Sequence, residues 1–298
     1  MKKIKYALEY AAVLLLVLPL RILPFRWAVA IGGAMGGVLW WLGIRREVSR
    51  FNLKICLPGF KGKIADGILR ESYKNFCRSM VEFALMPKLR GRTSKYIEIV
   101  NLERLSNRMK DGVGVLWVAG HFGSWELLGT SFADAGIPVD FLVGKQKNEI
   151  IDRFINGLRS SMGAGIIHMG VATRGVIKSI RSGRMVAMLS DQDAGTSSVS
   201  VRFFGHPVLT PRGIGAFALK LRCPIVYAVI FRDGGSVRQT IEFEILEPDY
   251  DNLPADKEEA IIEITQLYTD CIEASIRRAP EMYFWPHRRF KHAFKYPK

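Results

Sequence analysis

Cysteine is scarce. The four in 298 residues, Cys56, Cys77, Cys223 and Cys271, are scattered, and none forms a CxxC pair. That excludes a disulfide framework and a thiolate zinc site, and it suits a reducing compartment, with the thiols expected as buried packing groups. Phosphate-cradling glycine motifs are missing too. There is no GxxxxGK[ST] loop and no GxGxxG turn after a strand, so nucleotide chemistry has no support. No serine stands in a GxSxG elbow and no cysteine neighbours a histidine, so the chain offers no evident protein nucleophile. Internal repeats, low-complexity tracts and long linkers are absent. Acidic residues are in short supply, 28 Asp+Glu against 43 Lys+Arg, a formal charge of +15. Such a surface attracts polyanions: nucleic acid, anionic lipid headgroups or an acidic carrier protein.

Long apolar runs, by contrast, are present at the N-terminus. Residues 10–20, YAAVLLLVLPL, are uninterrupted, and residues 27–44, WAVAIGGAMGGVLWWLGI, carry no charge. Each is close to the roughly 20 residues a spanning helix needs. Lys2, Lys3 and Lys5 precede them, Arg21 and Arg26 lie between, and Arg45 and Arg46 follow. Positive flanks with Trp40 and Trp41 resemble an interfacial anchor whose charged side is cytoplasmic. Pro24 and the glycine pairs 32–33 and 36–37 are expected to break the helices, giving one span or a shallow hairpin. The expected division is therefore an N-terminal membrane anchor over 1–44 and a cytoplasmic-facing domain over 45–298. A membrane partner accounts for the positive charge, and nucleic acid is not expected.

Residues 45–110 read as basic helices from their three- and four-residue apolar spacing. Beyond them strands and helices alternate. Strands are expected at 112–120, 138–144, GIIH, the start of 185–192, 224–231 and 239–247. Helices are expected at WELLGTSFADAG, 149–163, 172–183, 211–222 and 256–280. This alternation predicts an α/β fold, a mostly parallel central sheet flanked by helices. In such sheets the carboxyl ends of strands collect ligands.

The chemically expressive residues fall at those ends. His121 closes the apolar strand GVGVLWVA, and Glu126 follows in the first turn of the next helix. If the chain folds back, Glu126 reaches the far nitrogen of the imidazole, fixing its tautomer and stabilising the imidazolium. SDQDAG, residues 190–195, closes another strand and offers Asp191 and Asp193 to a charged substrate or a sugar. With His121 and Glu126 the two aspartates also form a possible metal site, which makes a membrane-anchored metal-dependent hydrolase the alternative. Lys145, Lys147, Arg153, Arg159 and Arg174 supply positive charge around the same loops, and arginine suits phosphate recognition. RFFGHPVLTPRGIGAFALKL reads as a pocket wall, a substrate entrance or core. Without a nucleophile, direct transfer is the economical chemistry: His121 deprotonates an acceptor hydroxyl that attacks an activated acyl group.

Four blocks, in order, resemble the late-stage lipid A biosynthesis acyltransferases, the lauroyl/myristoyl-type branch of the glycerolipid-type His-x4-Glu acyltransferases. They are the N-terminal apolar segment, HFGSWE, SDQDAG with VRFFGHPVLTPRG, and APEMYFWPHRRFK at 279–291. The resemblance covers nearly the whole chain. It implies a glycerolipid-acyltransferase-like fold, His121 as general base with Glu126 as its partner, and substrate contacts from Arg159, Asp191 and Lys145. It implies no cofactor and no metal. The donor it implies is a thioester of acyl-carrier protein or acyl-CoA, and the acceptor an anionic glycolipid such as a lipid A precursor, at the bacterial inner membrane. Arg45, Arg46, Arg288 and Arg289 are candidates to meet an acidic carrier. Gly144-Lys145 stands where relatives acting on enteric lipid A commonly carry Tyr-Arg, so other glycolipids, including mannosylated phosphoinositides, stay open as acceptors.

Overall fold

The computed structural model describes residues 2–193 and 195–297, so that Ala194 of the SDQDAG stretch lies outside the described residues. Ten α-helices and nine strands are described. The chain begins with α1 (Lys2–Ile22), α2 (Phe25–Trp41), α3 (Arg46–Cys56) and α4 (Gly62–Leu85), followed by β1 (Ile97–Ile99) and α5 (Leu102–Arg108). The alternating part comprises β2 (Val115–Ala119), α6 (Trp125–Asp134), β3 (Val139–Val143), α7 (Glu149–Ser161), β4 (Gly165–His168), α8 (Ala172–Arg181) and β5 (Met185–Leu189). Then come β6 (Ser198–Phe203), β7 (His206–Pro211), α9 (Gly213–Leu221), β8 (Ile225–Arg232), β9 (Gln239–Leu246) and α10 (Lys257–Arg278).

Seven strands form one sheet in the order β1-β9-β8-β2-β5-β3-β4, and all neighbours are parallel except β8 and β9. Side chains of β2 alternate between the two faces, as a pleated strand requires. Leu116 and Val118 join a core with α8, α9 and α10, while Val115, Trp117 and Ala119 join one with α6 and α7. Both faces are covered, which is why this strand is apolar throughout rather than alternating. The connection leaving β2 runs outward to β3, and the one leaving β5 crosses to β8 on the other side of β2. The crevice between the carboxyl ends of β2 and β5 is therefore the natural ligand position in such a sheet.

The strands expected from the sequence are present, with two additions. β1 is a three-residue edge strand too short to announce itself. The stretch read as a pocket wall forms the antiparallel hairpin β6–β7. Its two-residue turn has Phe204 at φ 50° and Gly205 at φ 79°, the left-handed pair that a tight hairpin requires. The cysteines are unpaired, with Cys56, Cys77 and Cys223 buried and Cys271 half-buried. Burial pushes the Cys77 and Cys223 thiols up to about 11, away from reactivity.

The N-terminal helices differ in one respect from expectation. Pro24 does separate α1 from α2, but the glycine pairs do not break α2. Gly32, Gly33 and Gly36 face α4 instead. A Cβ at Gly36 would strike the Tyr73 carbonyl, and one at Gly33 would stand 2.8 Å from Arg78 Nε. Glycine here lets two helices approach closely, which outweighs its low helix propensity. The opposite side of α1 and α2 is exposed and apolar, with Leu8, Leu15, Leu16, Ile22, Trp27, Met35, Val38 and Trp41. No single described helix is long and apolar enough to cross a membrane; α2 and α3 together meet that test only as a pair bent by 93°.

Candidate active site

β2 and β5 pair in register from Val115↔Met185 to Ala119↔Leu189. Two residues past the last pair on each strand, His121 and Asp191 meet. The His121 backbone N–H donates to Asp191 Oδ2 at 2.9 Å, and Nδ1 of the ring lies 2.7 Å from Oδ1. Asp191 is 2 % exposed, whereas the His121 side chain keeps 21 % of its surface open. An ionised carboxylate only accepts hydrogen bonds, so Nδ1 carries the proton and Nε2 presents its lone pair. Burial opposes a charged imidazole, but the charge and hydrogen bond of Asp191, aided by the charge of Glu126, outweigh it and raise the His121 pKa above 6.5. Burial likewise opposes the Asp191 anion, and the charge and hydrogen bonds of His121 overcome it, holding that carboxyl below its usual range. The ring stands edge-on to Trp125 at 5.0 Å and near Phe284 at 6.4 Å, an apolar wall on its flank.

The carboxylate that holds the ring is thus Asp191, not Glu126. Helix α6 does carry Glu126 in its first turn, but turns the carboxylate toward α7. There Arg159 grips it with two bonds, Nε to Oε2 at 2.8 Å and a second nitrogen to Oε1 at 2.5 Å. The third nitrogen of Arg159 donates to Asn156 Oδ1 at 2.8 Å, and the guanidinium carbon lies 5.6 Å from the rings of Phe83 and Phe141. This planar, bidentate and ring-flanked placement suits arginine and no other side chain. Three of the five N–H groups are engaged, which leaves two.

Other sequence-derived candidates scatter. Lys145 is exposed beyond β3, its Nζ 3.4 Å from Glu149, and no hydrogen bond or ion pair joins it to His121. Asp193 is bound by Lys291 and His292, each at 2.7 Å. Glu126 and Asp193 are therefore both committed elsewhere, and among the described residues no group of three or more His, Cys, Asp or Glu side chains converges as metal ligands. The hydrolase alternative loses its cluster. Arg289, considered for carrier contact, is buried at 3 % exposure and bonds the Leu209 carbonyl and Thr210 Oγ1 on β7. Arg46 lies over Trp40 and Arg288 over Tyr296, with Arg45 exposed.

The C-terminal block has a place that residue spacing did not reveal. Tyr283 bridges Phe122, Gly123 N–H donates to the Met282 carbonyl at 2.8 Å, and Phe284 N–H donates to the His121 carbonyl at 3.0 Å. Gly123, at φ 55°, passes so close to Ile230 that a Cβ would strike its carbonyl. Only the block's match to family order marked it in the sequence; its contact with the His121 loop is tertiary.

Over 252 residues the chain is 24% identical to the lipid A biosynthesis palmitoleoyltransferase of Escherichia coli (strain K12), covering 83% of this chain and 79% of that protein. It is 24% identical to the lipid A biosynthesis lauroyltransferase of the same organism over 90% of this chain and 87% of the relative. The phosphatidylinositol mannoside acyltransferase of Mycolicibacterium smegmatis (strain ATCC 700084 / mc(2)155) is 22% identical over 78% and 76% respectively. Residues 1–292 match the bacterial lipid A biosynthesis acyltransferase family, and the chain belongs to that family as an acyltransferase.

Proposed function

We propose that this enzyme moves a fatty acyl chain from an acyl thioester, carried by acyl-carrier protein or coenzyme A, to a hydroxyl of a lipid A precursor or a similar anionic glycolipid. The observation that carries this reading is the His121–Asp191 pair at the carboxyl ends of β2 and β5, with Nδ1 bound to the carboxylate, which leaves Nε2 as the basic nitrogen. Nε2 takes the proton of the acceptor hydroxyl while that oxygen attacks the thioester carbonyl. The tetrahedral intermediate collapses by breaking the C–S bond, and the departing thiolate takes the proton back from the imidazolium. Asp191 keeps the ring in the reactive tautomer and shares the positive charge that develops. Glu126, fixed by Arg159, adds a second negative charge that favours the imidazolium. The two uncommitted N–H groups of Arg159, with exposed Lys145, meet the negative charge of the acceptor.

The same reading places the enzyme on the bacterial inner membrane, its α/β body facing the cytoplasm. The exposed apolar side of α1 and α2 enters the lipid interface, and exposed Lys2, Lys3, Lys5 and Arg26 meet anionic headgroups. The test is acyl transfer itself. Purified enzyme is incubated with labelled acyl-carrier protein or acyl-CoA and an extracted lipid A precursor, and the products are weighed. The expected result is an acceptor heavier by one acyl group, with no acyl group left on the protein after donor alone. A trapped acyl-enzyme, or release of free fatty acid in place of acylated acceptor, would overturn the direct mechanism.

The pKa directions give a second prediction. His121 works as the free base, and its pKa is raised, so kcat/KM should climb with pH through a midpoint above about 6.5, the ordinary histidine value. Asp191→Asn removes the anion that outweighs burial. The remaining burial disfavours the imidazolium, so the midpoint should shift to lower pH, and the plateau should fall because the ring loses its orienting acceptor. A pH–rate profile of both proteins checks this; an unmoved midpoint would remove Asp191 from the role.

A further inference from the structure

The C-terminal segment 279–290 does more than cover the catalytic loop. Its backbone binds residues 121–123 through two hydrogen bonds, at the His121 carbonyl and the Gly123 N–H, which together make the Phe122–Tyr283 bridge. The segment is itself held from behind by buried side chains of α3 and α4. Asn75 Nδ2 donates to the Glu281 carbonyl at 3.0 Å, and Ser72 Oγ to the Tyr283 carbonyl at 2.6 Å. Asn52 Nδ2 donates to both the Trp285 and His287 carbonyls at 2.7 Å. Ser79 Oγ reaches the loop directly, donating to the Gly123 carbonyl at 2.9 Å. All four side chains are 2–3 % exposed.

Burying a polar side chain is costly unless it is bonded, so three buried side chains donating to one irregular strap, with a fourth on the loop it covers, call for a reason. The amide of Asn75 is oriented by its surroundings. Arg78 can only donate, and it bonds Asn75 Oδ1 at 2.9 Å, so Nδ2 must face the Glu281 carbonyl. Arg78 in turn lies under α2 at Gly33. The strap is thus fixed on its outer side by α4 and on its inner side carries the backbone of His121.

We propose that Asn75 and Ser72 are positioning residues: through the strap 279–290 they set the His121 backbone, and with it the imidazole, against Asp191 and the reacting carbonyl. This rests on His121 being the base. A displacement of about 1 Å at a reacting group can cost about 100-fold in rate without loss of binding. The titratable groups that bear on the dyad, and on Tyr283 and His287 of its strap, are Glu126, Arg289, Lys291 and Cys56, and neither Asn75 nor Ser72 carries charge among them. A change in the dyad's titration on altering them would therefore act through geometry.

The experiment uses the full-length enzyme. Asn75→Leu keeps the side-chain volume and adds no charge while removing the strap's donor; Ser72→Ala removes the other donor and serves as the second variant. The expected result is a kcat lowered about 10- to 100-fold, a donor KM within twofold of wild type, a displaced acid midpoint in kcat/KM, and unchanged folded content by circular dichroism. The proposal is overturned if kcat and the midpoint both stay at wild-type values, or if activity falls only in proportion to unfolded protein. His121→Ala, measured alongside, separates the two readings. Activity retained there removes the base, whereas an inactive His121→Ala with unaltered Asn75→Leu and Ser72→Ala removes the positioning role alone.

Discussion

His121→Ala is expected to lower kcat by about 10²–10⁴-fold, the usual loss when a positioned general base is removed. The substitution takes away the lone pair that accepts the hydroxyl proton and leaves Asp191, 2 % exposed, without its main hydrogen-bond partner. The backbone N–H of residue 121 still donates to Asp191 Oδ2, so the loop keeps one of its two ties to β5. Fold and lipid attachment should therefore survive while chemistry fails. Steady-state rates with saturating donor and acceptor check the first part, and circular dichroism with vesicle flotation the second. Near-normal turnover would remove His121 from the chemistry.

A second large effect lies away from the crevice. Glu82 on α4 and Arg232 at the end of β8 form a two-pronged ion pair, both bonds 2.7 Å, with side chains 0 % and 1 % exposed. Gln239 Nε2 adds a bond to Glu82 at 3.2 Å, and Arg232 also donates to the Ser236 carbonyl at 2.9 Å. Glu82→Ala would strand a guanidinium in the interior, at a cost of about 3–5 kcal/mol. Against a total stability of about 5–15 kcal/mol, that is enough to bring a marginal protein near unfolding. Chemical denaturation of full-length protein should show the loss. Replacing both partners with apolar residues of similar volume should cost far less, since no charge is then left unpaired. A loss below about 1 kcal/mol for Glu82→Ala would mean that water reaches the pair and that it is worth no more than a surface one.

Much of the fold was legible because its signals are local. An uninterrupted apolar run bounded by glycine, as in GVGVLWVA, has few uses other than a strand covered on both faces, and it correctly put His121 at a strand end. Periodic apolar spacing in 256–280 marked α10 to within two residues. The glycines of α2 misled because a glycine pair looks the same to a helix that breaks and to a helix pressed against another. Only the presence of α4, some forty residues on, decides between them. The hairpin β6–β7 went unread because its turn begins with Phe204, a residue that rarely takes a positive φ.

The active site divides in the same way. By itself the sequence determined that a histidine closes a buried strand, that acidic residues follow at two strand ends, and that the blocks around them stand in the order of one acyltransferase family. It did not determine which carboxylate holds the imidazole. Glu126 was the candidate by proximity in the chain, five positions away, while Asp191 is seventy away. Tertiary structure reversed that choice, because helix α6 turns Glu126 toward Arg159 while the parallel pairing of β2 with β5 carries Asp191 alongside His121. Strand order is set by crossover connections and core packing over the whole domain, so no local pattern encodes it. The strap and its buried donors follow the same rule: hydrogen bonds that span more than two hundred residues, from Asn52, Ser72 and Asn75 to the C-terminal carbonyls, exist only once the chain has folded.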